Sequence, residues 1–168
     1  MNKKIFKICL VIVLLVVILI LYPKRYDKEF SGIIYRLGKE NQEYFERVSI
    51  SFDGKLTRLP ILNNKYIGDI IIGDMKITEI TLVFDSDNSA MIFDSNLNTY
   101  GQIYFDNDYK SFTIAISEQI GSNSAKGWDG SNGLMISAPA SSREEALNIS
   151  NKVMKSKLLY TGENYLLE

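Results

Sequence analysis

The sequence predicts a mainly β domain of the α+β kind, an antiparallel sandwich or partly closed barrel with one C-terminal amphipathic helix, preceded by a single N-terminal transmembrane helix. Three observations predict it. Short apolar-alternating runs, parted by hairpin-sized groups of Gly, Asp, Asn and Ser, recur from Phe30 to Ala138. After Pro139 the periodicity changes once, to that of a helix. Ahead of the runs, the chain from Ile8 to Tyr22 carries no charge. A length of 168 residues accommodates one domain and an appendage.

Ile5 and Phe6, on either side of a Lys7 that can snorkel, bring the apolar segment close to the ~20 residues that a bilayer core needs. Residues 1–22 are therefore expected to be a cytoplasmic tail and membrane anchor, meeting the lipid bilayer through residues 5–22. A cleaved secretory signal is the competing reading, but Tyr22-Pro23-Lys24-Arg25-Tyr26 contains no small-x-small site. Lys3, Lys4 and Lys7 face Lys24, Arg25 and Lys28 across the segment, a nearly even tally. N-terminal apolar segments of this kind usually act as export signals, so the expected topology is single-pass, N-terminus inside, body extracytoplasmic.

Residues 23–29 read as a linker and residues 30–168 as the β-rich domain. Ile33, Ile34, Tyr35 and Leu37 begin the strands, and Gly38–Glu43 reads as a turn. Val48, Ile50 and Phe52 alternate with serines, and Asp53-Gly54 before Lys55–Leu59 predicts a tight hairpin. Gly73-Asp74 predicts a second, between strands at Tyr66–Ile72 and Met75–Phe84. Further strands are expected at Ala90–Asp94, Tyr100–Phe105, Phe112–Ser117 and Leu134–Ala138. Ser141-x-x-Glu144 and Ser142-x-x-Glu145 are overlapping capping-box registers, and residues 142–158 place Ala146, Leu147, Ile149, Val153, Met154 and Leu158 on one helical face. The tail Glu163–Glu168 reads as a short extended end, with an edge strand at Tyr165–Leu167 as the alternative.

Thirteen of the 19 basic and 18 of the 20 acidic residues lie from Phe30 onward, so this part carries a net charge near −5. That argues against nucleic acid or anionic headgroups as its main partner. There is no His, and the single Cys, Cys9, lies in the apolar segment, which removes serine–histidine and cysteine–histidine catalysis and the usual zinc sites. No catalytic residue, cofactor or metal is therefore assigned. Asp85 with Asp87, and Asp106 with Asp108, are the carboxylate pairs that glycoside hydrolysis would need, but each sits where Asp stabilises a turn. Asp94-x-Asn96-x-Asn98 resembles the start of a calcium loop, yet Thr99 and Phe105 stand where Gly and a bidentate Glu are required.

The Gly/Ser/Asn-rich loop 121–133 holds Trp128, the only tryptophan. Lys126, Trp128, Asp129, Ser131 and Asn132 form a candidate ligand or partner loop, an aromatic face among polar groups that suits a glycan or a peptide. The plainer reading is that Trp128 pins the loop to the core.

Phe30-x-Gly32-x-Ile34-Tyr35, Val48-x-Ile50-x-Phe52-Asp53-Gly54, Tyr66-x-Gly68-x-Ile70-x-Ile72-Gly73 and Ile136-Ser137-Ala138-Pro139-Ala140-x-x-Arg143-Glu144-Glu145-Ala146 together span most of the body. The set resembles a group of small, uncharacterised membrane-anchored β-rich proteins of low-GC Gram-positive bacteria. The resemblance implies the topology and a β-rich fold, and it supplies no catalytic residue. The expected function is a membrane-tethered, non-enzymatic extracytoplasmic module binding an envelope component or a partner protein. The alternatives are a carboxylate-dependent envelope glycan hydrolase and a subunit of a larger membrane assembly.

Overall fold

The alternating runs assemble into one eight-stranded antiparallel sheet. A computed structural model describes residues 3–59, 63–94, 97–119, 126–159 and 166–168. Its elements are α1 (Lys3–Leu21), β1 (Lys24–Arg36), a short 3-10 turn (Lys39–Asn41), β2 (Phe45–Thr57), β3 (Lys65–Ile72), β4 (Met75–Val83), β5 (Ser89–Phe93), β6 (Thr99–Phe105), β7 (Phe112–Ile116), β8 (Glu118–Gln119), β9 (Lys126–Gly127), β10 (Leu134–Ala138), α2 (Arg143–Val153) and α3 (Lys155–Leu159). The sheet order is β4-β3-β2-β1-β10-β7-β6-β5, and its two outer strands come back together, so it curls into a nearly closed barrel. β8 and β9 form a separate two-stranded ribbon.

Burial alternates along β1, with Tyr26 and Phe30 turned into the barrel and Ile33 and Tyr35 turned out under α2. The inner core is an aromatic cluster centred on Phe52, whose ring meets Phe112 at 5.3 Å and Tyr26 and Tyr66 at 5.7 Å. Edge-on contacts dominate because the positive rim of one ring meets the negative face of the next. The outer core lies between α2 and the strands β1, β10 and β7.

Four expectations are corrected. Residues 24–29 belong to β1 rather than to a linker, pairing with β2 from Lys24↔Leu56 to Glu29↔Ser51. Lys24, Arg25, Asp27, Lys28 and Glu29 disguised a strand whose inward Tyr26 is buried. Asp53-Gly54 makes no hairpin, because β2 runs straight through it, with Gly54 opposite Tyr26 on one side and Gly68 on the other. Glycine serves close approach there, since a Cβ at Gly54 would stand 2.4 Å from the Ile67 carbonyl and 2.8 Å from the Tyr66 ring. The helix expected over 142–158 is broken at Met154, which leaves α2 and α3 as separate helices. Finally, the loop expected over 121–133 contains strand β9.

Other expectations hold. The Gly73-Asp74 hairpin joins Ile72 to Met75, with Gly73 at φ 57°. Ser142 caps α2, its hydroxyl accepting the Glu145 N–H at 3.2 Å. The Glu145 carboxylate reaches back to the Ser141 N–H and hydroxyl, both at 2.7 Å, so only the second capping register is used.

The spanning helix expected over residues 5–22 coincides with α1, which is 19 residues long. Among the described residues no helix is long and apolar enough to cross a membrane. α1 rises about 28 Å against a hydrocarbon core of about 30 Å, and Lys4 and Lys7 occupy its first turns.

Candidate functional site

Arg36, the last residue of β1, organises the end of the barrel opposite the start of that strand. Its guanidinium grips the Glu118 carboxylate with two hydrogen bonds, Nη2 to Oε1 at 2.6 Å and Nη1 to Oε2 at 3.0 Å. Nη1 also donates to the Asn132 carbonyl at 2.7 Å, and the group lies 5.6 Å from the centre of the Tyr44 ring. The fork matches a carboxylate on one side, and its flat face stacks on the aromatic on the other. Glu118 holds the guanidinium proton more tightly than usual, chiefly through these hydrogen bonds. Asn41 extends the network, donating to the Leu37 carbonyl at 2.6 Å and the Asn132 Oδ1 at 2.9 Å. Tyr44 (53% exposed) and the neighbouring Phe45 (50%) present aromatic surface beside it.

The residues expected to form a ligand loop are set into this rim in different ways. Trp128 is half-buried against the outer core, and its Nε1–H donates to the Met135 sulfur at 3.1 Å. Gly133 admits the indole, since a Cβ there would stand 2.4 Å from Nε1. Asp129 accepts the Ser131 N–H at 2.9 Å and the Ser131 hydroxyl at 2.8 Å, which together hold its carboxyl below the usual range. Asn132 is tied to Arg36 and Asn41, and Lys126 is exposed on β9 opposite Gln119. The structure thus joins Asn132 to the Arg36 cluster and packs Trp128 partly against the outer core. Residues 121–125 of the expected loop lie outside the described residues.

Sequence reasoning missed Arg36, Glu118, Tyr44 and Asn41. Arg36 and Glu118 stand 82 positions apart, and only the β1–β10–β7 arrangement brings them together.

Asp85 and Asp106, the first carboxylate of each pair considered for catalysis, act as turn staples, as does Asp94 of the segment that resembles a calcium loop. Asp85 accepts from the Asp87 N–H, the Ser89 N–H and the Ser89 hydroxyl. Asp94 binds the Asn98 N–H at 2.8 Å and the Asn98 amide at 3.0 Å. Asp106 binds the Lys110 N–H at 2.8 Å and the Ser111 hydroxyl at 3.0 Å. Each turn has a left-handed residue three positions on, Asn88, Leu97 and Tyr109, at φ 54°, 62° and 57°. The first carboxylate of each thus compensates a tight loop by satisfying backbone donors. Among the described residues no group of His, Cys, Asp and Glu could hold a metal ion.

One further polar cluster is sealed. The hydroxyls of Tyr35, Thr113, Ser137 and Ser150 hydrogen-bond one another beneath α2, and all four residues have no exposed surface. No substrate can reach them in this conformation, so their work is to fix the helix on the sheet.

No family model, curated protein or solved structure matches the chain.

Proposed function

We propose that this chain is a membrane-tethered, non-enzymatic module that presents the Arg36 rim, outside the cytoplasm, to an envelope component or a partner protein. One observation carries the reading. From Ile8 onward α1 is apolar around its whole circumference, yet every side chain described from there to Leu21 is exposed. A helix that is apolar on all sides needs cover, and the barrel leaves it uncovered. Lipid is the cover that fits a charge-free run from Ile8 to Tyr22. A span shorter than the bilayer is accommodated by snorkelling of Lys4 and Lys7 and by local thinning.

The rim suits recognition because it is stiff before any ligand arrives. Arg36, Asn41 and Asn132 are already hydrogen-bonded in place, so little side-chain freedom is left to lose on binding. Tyr44 and Phe45 supply the aromatic contact area that interfaces favour. β1 also sets the rim's reach. From Lys24, just after α1, to Arg36, the strand extends about 40 Å, which lifts the rim clear of the headgroups.

The full chain in lipid vesicles, incubated with purified cell wall, tests this. Vesicles should sediment with the wall without releasing soluble fragments, and Tyr44→Ala should weaken that binding about tenfold, the loss of a ~1.4 kcal/mol contact. Release of muropeptides abolished by one Asp→Asn change would make the protein a hydrolase instead. Extraction of the chain from vesicles by alkaline carbonate would remove the tether.

A further inference from the structure

We infer that the end of the barrel from which β1 starts is a docking face for anionic lipid headgroups, which holds the barrel upright on the bilayer. The inference rests on the tether proposed above. Only Tyr22 and Pro23 separate α1 from β1, so Lys24 lies within about 10 Å of the helix end. That is about one Debye length at physiological salt, the range over which a charged surface acts on a fixed cation.

The loops at the level of Lys24 form a stiff plate. Arg58, just past β2, donates to the Asp108 carbonyl at 3.1 Å, and Asn64, just before β3, donates to the Tyr109 hydroxyl at 3.0 Å. That hydroxyl donates to Asn88 at 3.1 Å, and Asn88 donates in turn to Asn107 at 3.1 Å. Below them Tyr26 donates its hydroxyl to the Tyr109 carbonyl at 2.7 Å. Three separate loops are stitched together, so charges carried on this plate keep a fixed arrangement.

Lys24, Arg58, Lys65 and Lys110 belong to this end, and Lys152 and Lys155 join it from the break between α2 and α3. The last two line an open groove of about 390 Å³, whose other side carries Ser86, Asn88 and Asn107 with the carboxylates of Asp87 and Asp106. Asp106 is turned onto its own backbone and Ser111, as Asp85 is onto Ser89, and Asp108 pairs with Lys110 at 3.6 Å. Beside the Asp87 carboxylate, the groove offers the hydroxyl, amide and ammonium groups that a phosphate and its glycerol need.

The opposite end carries a small excess of acid, with Glu40, Glu43, Glu46, Asp74 and Glu118 against Arg36, Lys39, Arg47 and Lys76. A net charge near −5 beyond Phe30 argued against lipid headgroups, but that figure averages over two unlike ends. An anionic surface attracts one end and repels the other, so both act to orient the barrel with its rim outward.

Hydrogen exchange on the full chain in vesicles tests the face. Peptides covering 105–111 and 150–156 should exchange several-fold more slowly in phosphatidylglycerol-containing vesicles than in phosphatidylcholine alone. Molar salt, which shortens the Debye length to about 3 Å, should erase the difference. A Lys152→Glu/Lys155→Glu variant should lose it at low salt, with exchange in β7 and β10 unchanged as the check on folding. Flotation scores insertion separately. A chain that floats with both lipids and exchanges identically in them overturns the docking face and leaves the tether standing, whereas a chain that floats with neither removes both.

Discussion

Inside the barrel the buried side chains are hydrocarbon and aromatic, with Phe52 touching the rings of Tyr26, Phe30, Tyr66, Phe105 and Phe112 at 5.3 to 6.0 Å. On the outside of the same sheet, beneath α2, four hydroxyls are buried among apolar neighbours. Phe52 and the hydroxyl-bearing Tyr35, Thr113, Ser137 and Ser150 are equally dry, and the two layers achieve that differently. A filled barrel is specified by volume, because its strands are already fixed to one another by ladder hydrogen bonds. A helix lying on a sheet has no ladder to fix its position. The α2 residues that are fully buried, Ala146, Ser150 and Val153, are small, while the larger Leu147 and Ile149 pack only partly buried beside them. Directional hydroxyl bonds supply the register that packing alone does not.

The largest loss of stability is expected inside the barrel. Phe52→Ala should lower stability by about 3–5 kcal/mol, since it removes a fully buried ring and leaves a cavity that five neighbouring rings cannot collapse into. Urea unfolding of the full chain in detergent measures it. A loss below about 1 kcal/mol would mean that the barrel is not held by volume.

The outer layer should answer differently. Tyr35→Phe removes one hydroxyl and strips Ser150 and Ser137 of a partner in a dry site, which should cost about 1–3 kcal/mol. Converting all four at once, by Tyr35→Phe, Thr113→Val, Ser137→Ala and Ser150→Ala, leaves no orphaned polar group. The quadruple variant should therefore lose clearly less than the sum of the four single losses. Simple additivity in the same urea titrations would contradict the idea that the hydroxyls act as one network.

These layers were unequally legible in the sequence. Alternation revealed the inward residues of β2, and Gly73-Asp74 correctly marked its hairpin. Asp53-Gly54 offered the same local signal for the opposite reason. There the missing side chain makes room for Tyr66 across the sheet, a need that exists only once β3 lies alongside. The first half of β1 was hidden because its outward positions are charged, as a linker's would be. Neither the hydroxyl network nor the Arg36 rim could be read, since each depends on residues far apart in sequence that the sheet order makes neighbours. Trp128 was visible as an oddity, and its contacts with Met135 and Gly133 became visible only once β10 lay beside it.

The smallest expected effect lies where α2 begins, and it tests whether the outer layer depends on the helix being correctly started. Ser142→Ala removes the acceptor for the Glu145 N–H and should cost about 1 kcal/mol. Glu145 contributes through charge as well. The Ser141 hydroxyl, followed by the Ser141 N–H, holds its carboxyl below the ordinary glutamate range. A depressed folded-state pKa means that the ionised form is favoured by folding, so its stabilisation is fully present above the unfolded pKa and disappears as pH falls through the folded one. Wild type should therefore exceed Glu145→Gln in stability at neutral pH, and the gap should close as acid passes below the usual glutamate range. The anion also sits at the positive end of the helix dipole, where the same protonation removes a second favourable contact. Urea titrations of the two chains across that pH range decide the matter. A gap that stays constant would show that Glu145 acts through shape and hydrogen bonding alone, and the start of α2 would then owe nothing to charge.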